Sequence, residues 1–304
     1  MASMTIRELD LERDAGDVVA LLREISPTAV INVPSLRHRQ RTVPIRARPL
    51  SVVAEVDGRI VGRADCRLEN FFSDAIDLAF AGVAVTATHR RRGIGTRLLE
   101  AATNHAESIG ATRLLTNFHE CDAGVRFARS HGFAEARTEQ ESVLDPRTVG
   151  QSPPAGVDLQ RVADVDPRLV HAVDEAATRD MPSTEQNNAI PYEEWVGHVL
   201  EHPLFTAAGS VVAMVDGIAA ALSLLTCDPE TGRAANMFTG TLRDYRGRGL
   251  ALAVKLGSIR WAAENGVTSI VTTNDETNAA MLAVNRRLGY RPIGRRVDYL
   301  RNLP

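Results

Sequence analysis

Two short stretches hold the residue types that cradle a diphosphate: Arg90-Arg91-Arg92-Gly93-Ile-Gly95-Thr96 and Arg246-Gly247-Arg248-Gly249-Leu-Ala251. In each, an apolar run leads into a basic, glycine-bearing turn and straight on into a helical pattern. The first amides of a helix have no intrahelical partner, and the helix dipole adds about half a positive charge there. Glycine lets the backbone approach a phosphate closely, while Arg91, Arg92 and Arg248 add charge around the turn. Neither turn has the third glycine of a dinucleotide fingerprint or the Gly-Lys-Ser/Thr of a P-loop, which excludes those two sites. No His, Cys, Asp or Glu grouping has ligand spacing, so no metal is expected.

These turns belong to a plan that occurs twice. Ser51–Gly62 reads as strand, Asp57-Gly58 turn, strand, and Val211–Ala220 does the same around Asp216-Gly217, an offset of 159. The Arg/Gly turns follow at an offset of 156, and His131-Gly132-Phe133 is matched by Leu288-Gly289-Tyr290 at 157. Three landmarks in one order at nearly constant spacing mark an internal repeat. Asp145–Gly156, with Pro146, Gly150, Pro153, Pro154 and Gly156, interrupts helix and strand alike and is the expected linker. The expected domains are therefore 1–144 and 157–304.

Within each half the pattern is mixed α/β. The first reads as a strand at Thr5–Leu9, a helix at Asp14–Ile25 and an Arg-rich loop around Arg37–Arg41. The hairpin and a strand over Asp77–Thr86 follow, then a helix to about Ser108, a strand at Arg113–Phe118, a helix to Ser130 and a closing strand from Phe133. The second half repeats this, with helices at Pro167–Ala177, Tyr192–Leu200, Leu250–Asn265 and Asn278–Leu288.

The sequence has 304 residues, enough for two domains at roughly 100–200 residues each. A net charge of −3 with 24% charged residues of both signs gives no field that calls for nucleic acid or an acidic membrane. Phe205–Leu225 is the one stretch apolar enough to suggest a membrane span, but Asp216-Gly217 at its centre predicts a hairpin. An Asp at mid-bilayer would cost about 2.5–3.5 kcal/mol. No signal peptide is visible, and Cys66, Cys121 and Cys227 read as reduced thiols of a soluble, cytoplasmic protein.

Arg90-x-x-Gly93-x-Gly95 and Arg246-x-x-Gly249-x-Ala251 resemble the Arg/Gln-x-x-Gly-x-Gly/Ala motif of GNAT acyltransferases. Asn278-x-x-Met281-x-x-x-Asn285-x-x-x-Gly289-Tyr290 is similar to the second signature of that family. The resemblance covers the chain as two tandem units, as in the mycothiol synthase-like branch. It implies two GNAT-like domains, each a largely antiparallel mixed sheet flanked by helices. It also implies acetyl-CoA as cosubstrate, its pyrophosphate on the two turns and its pantetheine arm along the strands holding Val83, Val85, Thr239 and Thr241, with Asn278 beside it.

The family's usual acid, a Tyr seven residues after the signature Asn, is replaced by Asn285 in the second half and Ala128 in the first. Asn285 can hydrogen-bond the sulfur or the pantetheine but is no proton donor of useful pKa. Base candidates are Glu69 and Asp77 in the first half, and Asp180, Glu185 and Glu194 in the acid-rich segment from Asp180 to Trp195 of the second. Any of them also fits a solvated surface carboxylate. The expected reaction is acetyl transfer to a primary amine of a small molecule by direct attack. A silent acyl-CoA-binding protein and a protein N-acetyltransferase are the alternatives. A monomer or homodimer is expected.

Overall fold

A computed structural model describes residues 4–69, 76–182 and 190–304, and the chain falls into two compact units. Unit 1 comprises Met1–Arg137 with Arg296–Pro304, and unit 2 comprises Thr138–Arg295.

In unit 1, β1 (Met4–Glu8), β2 (Leu50–Val56), β3 (Arg59–Leu68) and β4 (Leu78–Val85) pair antiparallel in that order. Asp57 and Gly58 join β2 to β3 with φ of 51° and 75°, the two positive values a type I′ turn requires. α1 (Leu11–Ile25) and α2 (Val33–Thr42) lie between β1 and β2 in the chain. Residues 37–41, expected as a loop, are instead the body of α2. Asn32 and Ser35 cap it reciprocally and a proline stands in its first turn, start signals that the basic run had masked.

α3 (Ile94–Ser108) seals one face of the sheet by packing Ile94, Leu98, Leu99 and Ala102 onto Ala54, Ala64, Ala79 and Ala81. β5 (Arg113–His119) runs parallel to β4, but their ladder spans only Leu78–Phe80 opposite Arg113–Leu115. The two strands part beyond it. α4 (Asp122–Ser130) follows.

Unit 2 uses β6 (Ala134–Leu144) from Thr138 onward, then β7 (Asp158–Arg161), α5 (Pro167–Thr178) and α6 (Tyr192–Trp195), which continues as a π-helical turn over Val196–Leu200. β8 (Val211–Val215), β9 (Ile218–Asp228) and β10 (Arg233–Thr241) form the meander. α7 (Leu250–Glu264), β11 (Ser269–Asp275), α8 (Ala279–Leu288) and β12 (Arg291–Asn302) complete the order. Asp216 and Gly217, φ 51° and 79°, make the predicted hairpin. Among the described residues no helix is long and apolar enough to cross a membrane.

The compact units are not the expected halves 1–144 and 157–304. Glu139–Leu144 of β6 pairs with β11, inside unit 2, while Arg296–Asn302 of β12 pairs with β5, inside unit 1. Each half thus contributes its last strand to the other half's sheet. Val297 and Tyr299 are fully buried in the unit 1 core, and Tyr299 stacks on Phe118 at 5.0 Å. The burial belongs to the strand, whichever end of the chain supplies it.

Candidate functional site

The two Arg/Gly turns have one backbone shape. Gly93 and Gly249 each begin a helix with φ 78°, preceded by a second left-handed residue, Arg91 at 63° or Gly247 at 75°. No side chain caps α3 or α7, whereas Asp10, Asn32, Asp166 and Asn278 cap α1, α2, α5 and α8. The opening amides of α3 and α7 therefore stay free to meet an anion. Arg91 and Arg92 are exposed beside the first turn.

Several side chains expected to touch the coenzyme are engaged inside the protein instead. Arg90 Nε donates to the Val85 carbonyl at 3.1 Å and Arg246 Nε to that of Thr241 at 3.2 Å, so both hold the strand end against the turn. Arg248 donates to the Asp244 carbonyl at 3.0 Å and lies over Tyr245. Thr96 is bonded to His131 at 3.3 Å, and Asn278 accepts from the Met281 amide at 3.1 Å as the cap of α8. Gly95 packs close to Phe127, where an added Cβ would come within 3.2 Å. What the turns offer is mainly backbone.

Beside the second turn, β10 pairs with β11 only over Arg233–Ala235, so the strand's later edge is open as in unit 1. β10 also carries a bulge, which β4 lacks: its ladder with β9 shifts between Asn236 and Phe238. A bulge leaves carbonyls without ladder partners and re-aims the strand. Asn236 takes them up, donating to the carbonyls of Leu224 at 3.2 Å and Phe238 at 3.3 Å, and to Ser223 Oγ at 2.9 Å. Its Oδ1 accepts from Thr239 Oγ1 at 2.8 Å and from Lys255 Nζ at 2.6 Å.

Lys255, the sole lysine of the chain, is 1% exposed and lies under the Tyr290 ring. Burial pulls its ammonium down to about 7. Sequence reasoning passed over this cluster, although a lone lysine on the apolar helix Leu250–Glu264 was its visible trace.

Asn285 is 2% exposed and donates to Asn274 Oδ1 at 2.6 Å, while its own Oδ1 has no partner. Thr241 Oγ1 is likewise buried and unpartnered. The matching residues of unit 1 are Ala128 and Val85, which have nothing to satisfy.

The carboxylates sort differently from expectation. Asp180 is no base: Arg243 and Arg246 grip it at 2.5 Å each and hold it below the usual carboxylate range. Asp77 is tied to Arg113 at 2.9 Å and lowered for the same reason. Burial raises Glu69, which meets Arg67 at 2.8 Å. Glu194 is half-buried on α6, and Glu185 lies outside the described residues. Asp174 on α5, not anticipated, is buried against the Trp195 indole N–H and raised by that burial to about 6. Among the described residues no His, Cys, Asp and Glu group together as a metal site.

Residues 19–133 match the model of the acetyltransferase (GNAT) family. These residues form a GNAT acetyltransferase domain. It is 26% identical to the mycothiol acetyltransferase of Saccharomonospora viridis over 243 residues, 74% of this chain and 75% of that one. Family and relative together mark the protein as an acyltransferase. A tandem GNAT protein from the clavulanic acid biosynthesis pathway superposes with a TM-score of 0.76 at 21% identity, covering 99% of this chain and 98% of its own. A GCN5-related N-acetyltransferase from Sphaerobacter thermophilus gives 0.73 at 17%, covering 98% and 95%. Both likenesses show the fold alone: two mixed α/β units of GNAT-like fold in tandem.

Proposed function

We propose that this GNAT protein moves an acetyl group from acetyl-CoA to a primary amine of a small molecule, and that unit 2 is the chemical centre. The observation that carries the choice of unit is the pair of unpartnered buried oxygens, Thr241 Oγ1 and Asn285 Oδ1, on the strand and helix that flank the open edge of β10. A buried acceptor without a donor is costly, and the amides and hydroxyl of a pantetheine arm supply donors.

The amides that open α7 would hold the pyrophosphate, and the open edge of β10 would run along the arm. The bulge at Asn236–Phe238, fixed by the Asn236 carboxamide, would offer a strand amide to the thioester carbonyl, where negative charge develops on attack. The coenzyme, when bound, supplies the activated acetyl group and a thiolate leaving group. A thiolate is a far better leaving group than an amine, so it departs without an obligatory acid, consistent with Asn285 in place of Tyr. Glu194 is the residue proposed to take the proton from the amine.

A free-thiol release assay with acetyl-CoA over a panel of small amines and peptides tests this reading. Turnover with a small amine, lost in Gly249→Glu and kept in Gly93→Glu, is the expected result. Tight coenzyme binding with no turnover on any amine would overturn transfer in favour of a silent binding protein. Loss in Gly93→Glu alone would move the chemistry to unit 1.

A further inference from the structure

On β3 and the residue after it, the side chains facing away from α3 are Arg63, Asp65, Arg67 and Glu69, a charged row on a sheet face that a helix would ordinarily cover with apolar contacts. The fold does not demand it. The matching residues of β9 are Leu222, Leu224, Thr226 and Asp228, the first two sealed under α5 with Val170, Val173 and Trp195.

Among the described residues, five guanidiniums (Arg39, Arg63, Arg67, Arg137 and Arg296) meet three carboxylates (Asp65, Glu69 and Asp298), with Asp298 buried 3.7 Å from Arg137 and attracted to Arg296. Arg63 is 6% exposed, its Nε has no hydrogen-bond partner, and the nearest carboxylate, Asp65, stands 3.4 Å from its terminal nitrogen. Asp65 is shared with Arg67, 4.0 Å away, while Glu69 is engaged by Arg67 at 2.8 Å. Two further guanidiniums face this row. Arg39 of α2 feels repulsion from Arg63, Arg67 and Arg296 against attraction from Asp65, yet its side chain keeps access to water. Arg296 is held by Asn117 Oδ1 at 2.5 Å.

Position adds meaning to charge. Asp65 lies over Gly82, where an added Cβ would come within 2.9 Å of its carboxylate, and Asn117 lies beyond Leu115. The cluster therefore borders the gap that opens where β4 and β5 part. A buried guanidinium whose donors lack acceptors is costly, and an oxyanion fits the forked geometry that it presents.

We propose that this face of unit 1 is a binding site for a small oxyanion, the carboxylate or phosphate group of a metabolite, held by Arg39, Arg63 and Arg296. The site is separate from the turn at Arg90–Gly95, and it stands whether or not unit 2 performs the chemistry.

Calorimetric titration and thermal melting of the full chain test it, with succinate, inorganic phosphate and neutral succinamide as probes at constant ionic strength. Succinate or phosphate should bind and raise the melting temperature, and succinamide should do neither. Preference between the two anions tells carboxylate from phosphate. Arg39→Ala, on an exposed part of α2, should weaken anion binding at least tenfold. Arg63→Met should abolish it and, without anion, melt no lower than the parent. Should Arg63→Met fail to fold, Arg39→Ala still decides. The double variant Gly93→Glu/Gly249→Glu should keep the whole succinate response, and any phosphate binding it loses belongs to the helix turns, so the preference between the two anions is read in that variant. Equal binding of succinamide, unchanged affinity in Arg39→Ala, or loss of the succinate response only in the double glycine variant would overturn the proposal.

Discussion

The two units repeat one backbone plan but place their polar residues on opposite faces of the sheet. Under α7, unit 2 buries Ser223, Lys255, Ser258 and Tyr290 and half-buries Asn236; under α3, unit 1 has Ala64, Leu99, Ala102, Phe133 and Ala81 at the matching positions. Across the sheet the pattern reverses, with charges on β3 and leucines on β9. The fold therefore asks for burial without dictating which face stays apolar.

The difference that matters is satisfaction. In unit 2 the Asn236 carboxamide has partners for both its oxygen and its nitrogen, and Ser258 bonds Ser223 at 3.1 Å, so that cluster is internal architecture serving the bulge. Across the sheet in unit 1, the guanidiniums outnumber the carboxylates among the described residues and Arg63 Nε has no hydrogen-bond partner, the mark of a surface meant for something else.

The severest break removes the strand that the comparison assigns to unit 1. Deleting Arg296–Pro304 should abolish the unfolding transition of unit 1 while unit 2 keeps its own, read by calorimetry as the loss of one of two transitions. A single intact transition would mean that the exchanged strand is dispensable.

Next in size is Gly249→Glu, which puts a side chain at φ 78° and a negative charge against the proposed phosphates. Coenzyme affinity should fall on the order of 100-fold, as backbone strain of about 1–3 kcal/mol adds to the repulsion. Gly93→Glu has the same strain and serves as the comparison, measured by coenzyme titration of both variants.

Lys255→Met tests the buried cluster of unit 2. Taking out a buried amine should stabilise the fold by about 1–4 kcal/mol near neutral pH while lowering kcat/KM several-fold through a looser bulge. The sign with pH follows from a folded value of about 7 against 10.5 unfolded. Between those values the unfolded chain binds more protons, so the parent gains stability as pH rises and its deficit against the variant narrows. A gap in melting temperature that widens from pH 7 to 10 would contradict a neutral buried amine.

The smallest effect is expected from Thr241→Val, which gives unit 2 the residue of unit 1. Loss of one hydrogen bond should raise KM for acetyl-CoA roughly threefold to tenfold with kcat little changed. An unchanged KM would remove Thr241 from the proposed slot.

Local signals were legible in the sequence. Asp-Gly turns, glycine at the helix starts and the repeat of the Arg/Gly motif all depend on a few neighbouring residues, and the structure places each as read. The exchange of β6 and β12 was not legible, because strands with the same burial pattern close either sheet equally well. Asp180 was misread because its guanidinium partners lie 63 and 66 residues away. The Arg-x-Asp-x-Arg-x-Glu alternation of β3 was visible, but as a solvated edge it would look the same. Only the burial of Arg63 distinguishes the two.

The crossed last strands also set an order of assembly on the ribosome. The first unit to emerge is the last to finish, since β5, which ends at His119, waits for Arg296–Asn302. At about 5–20 residues per second, roughly ten to forty seconds pass before that edge is covered, while unit 2 can close around its own uninterrupted stretch. A nascent chain stalled before Arg296 would expose a bare strand edge, the kind of surface that chaperones hold and that aggregates recruit.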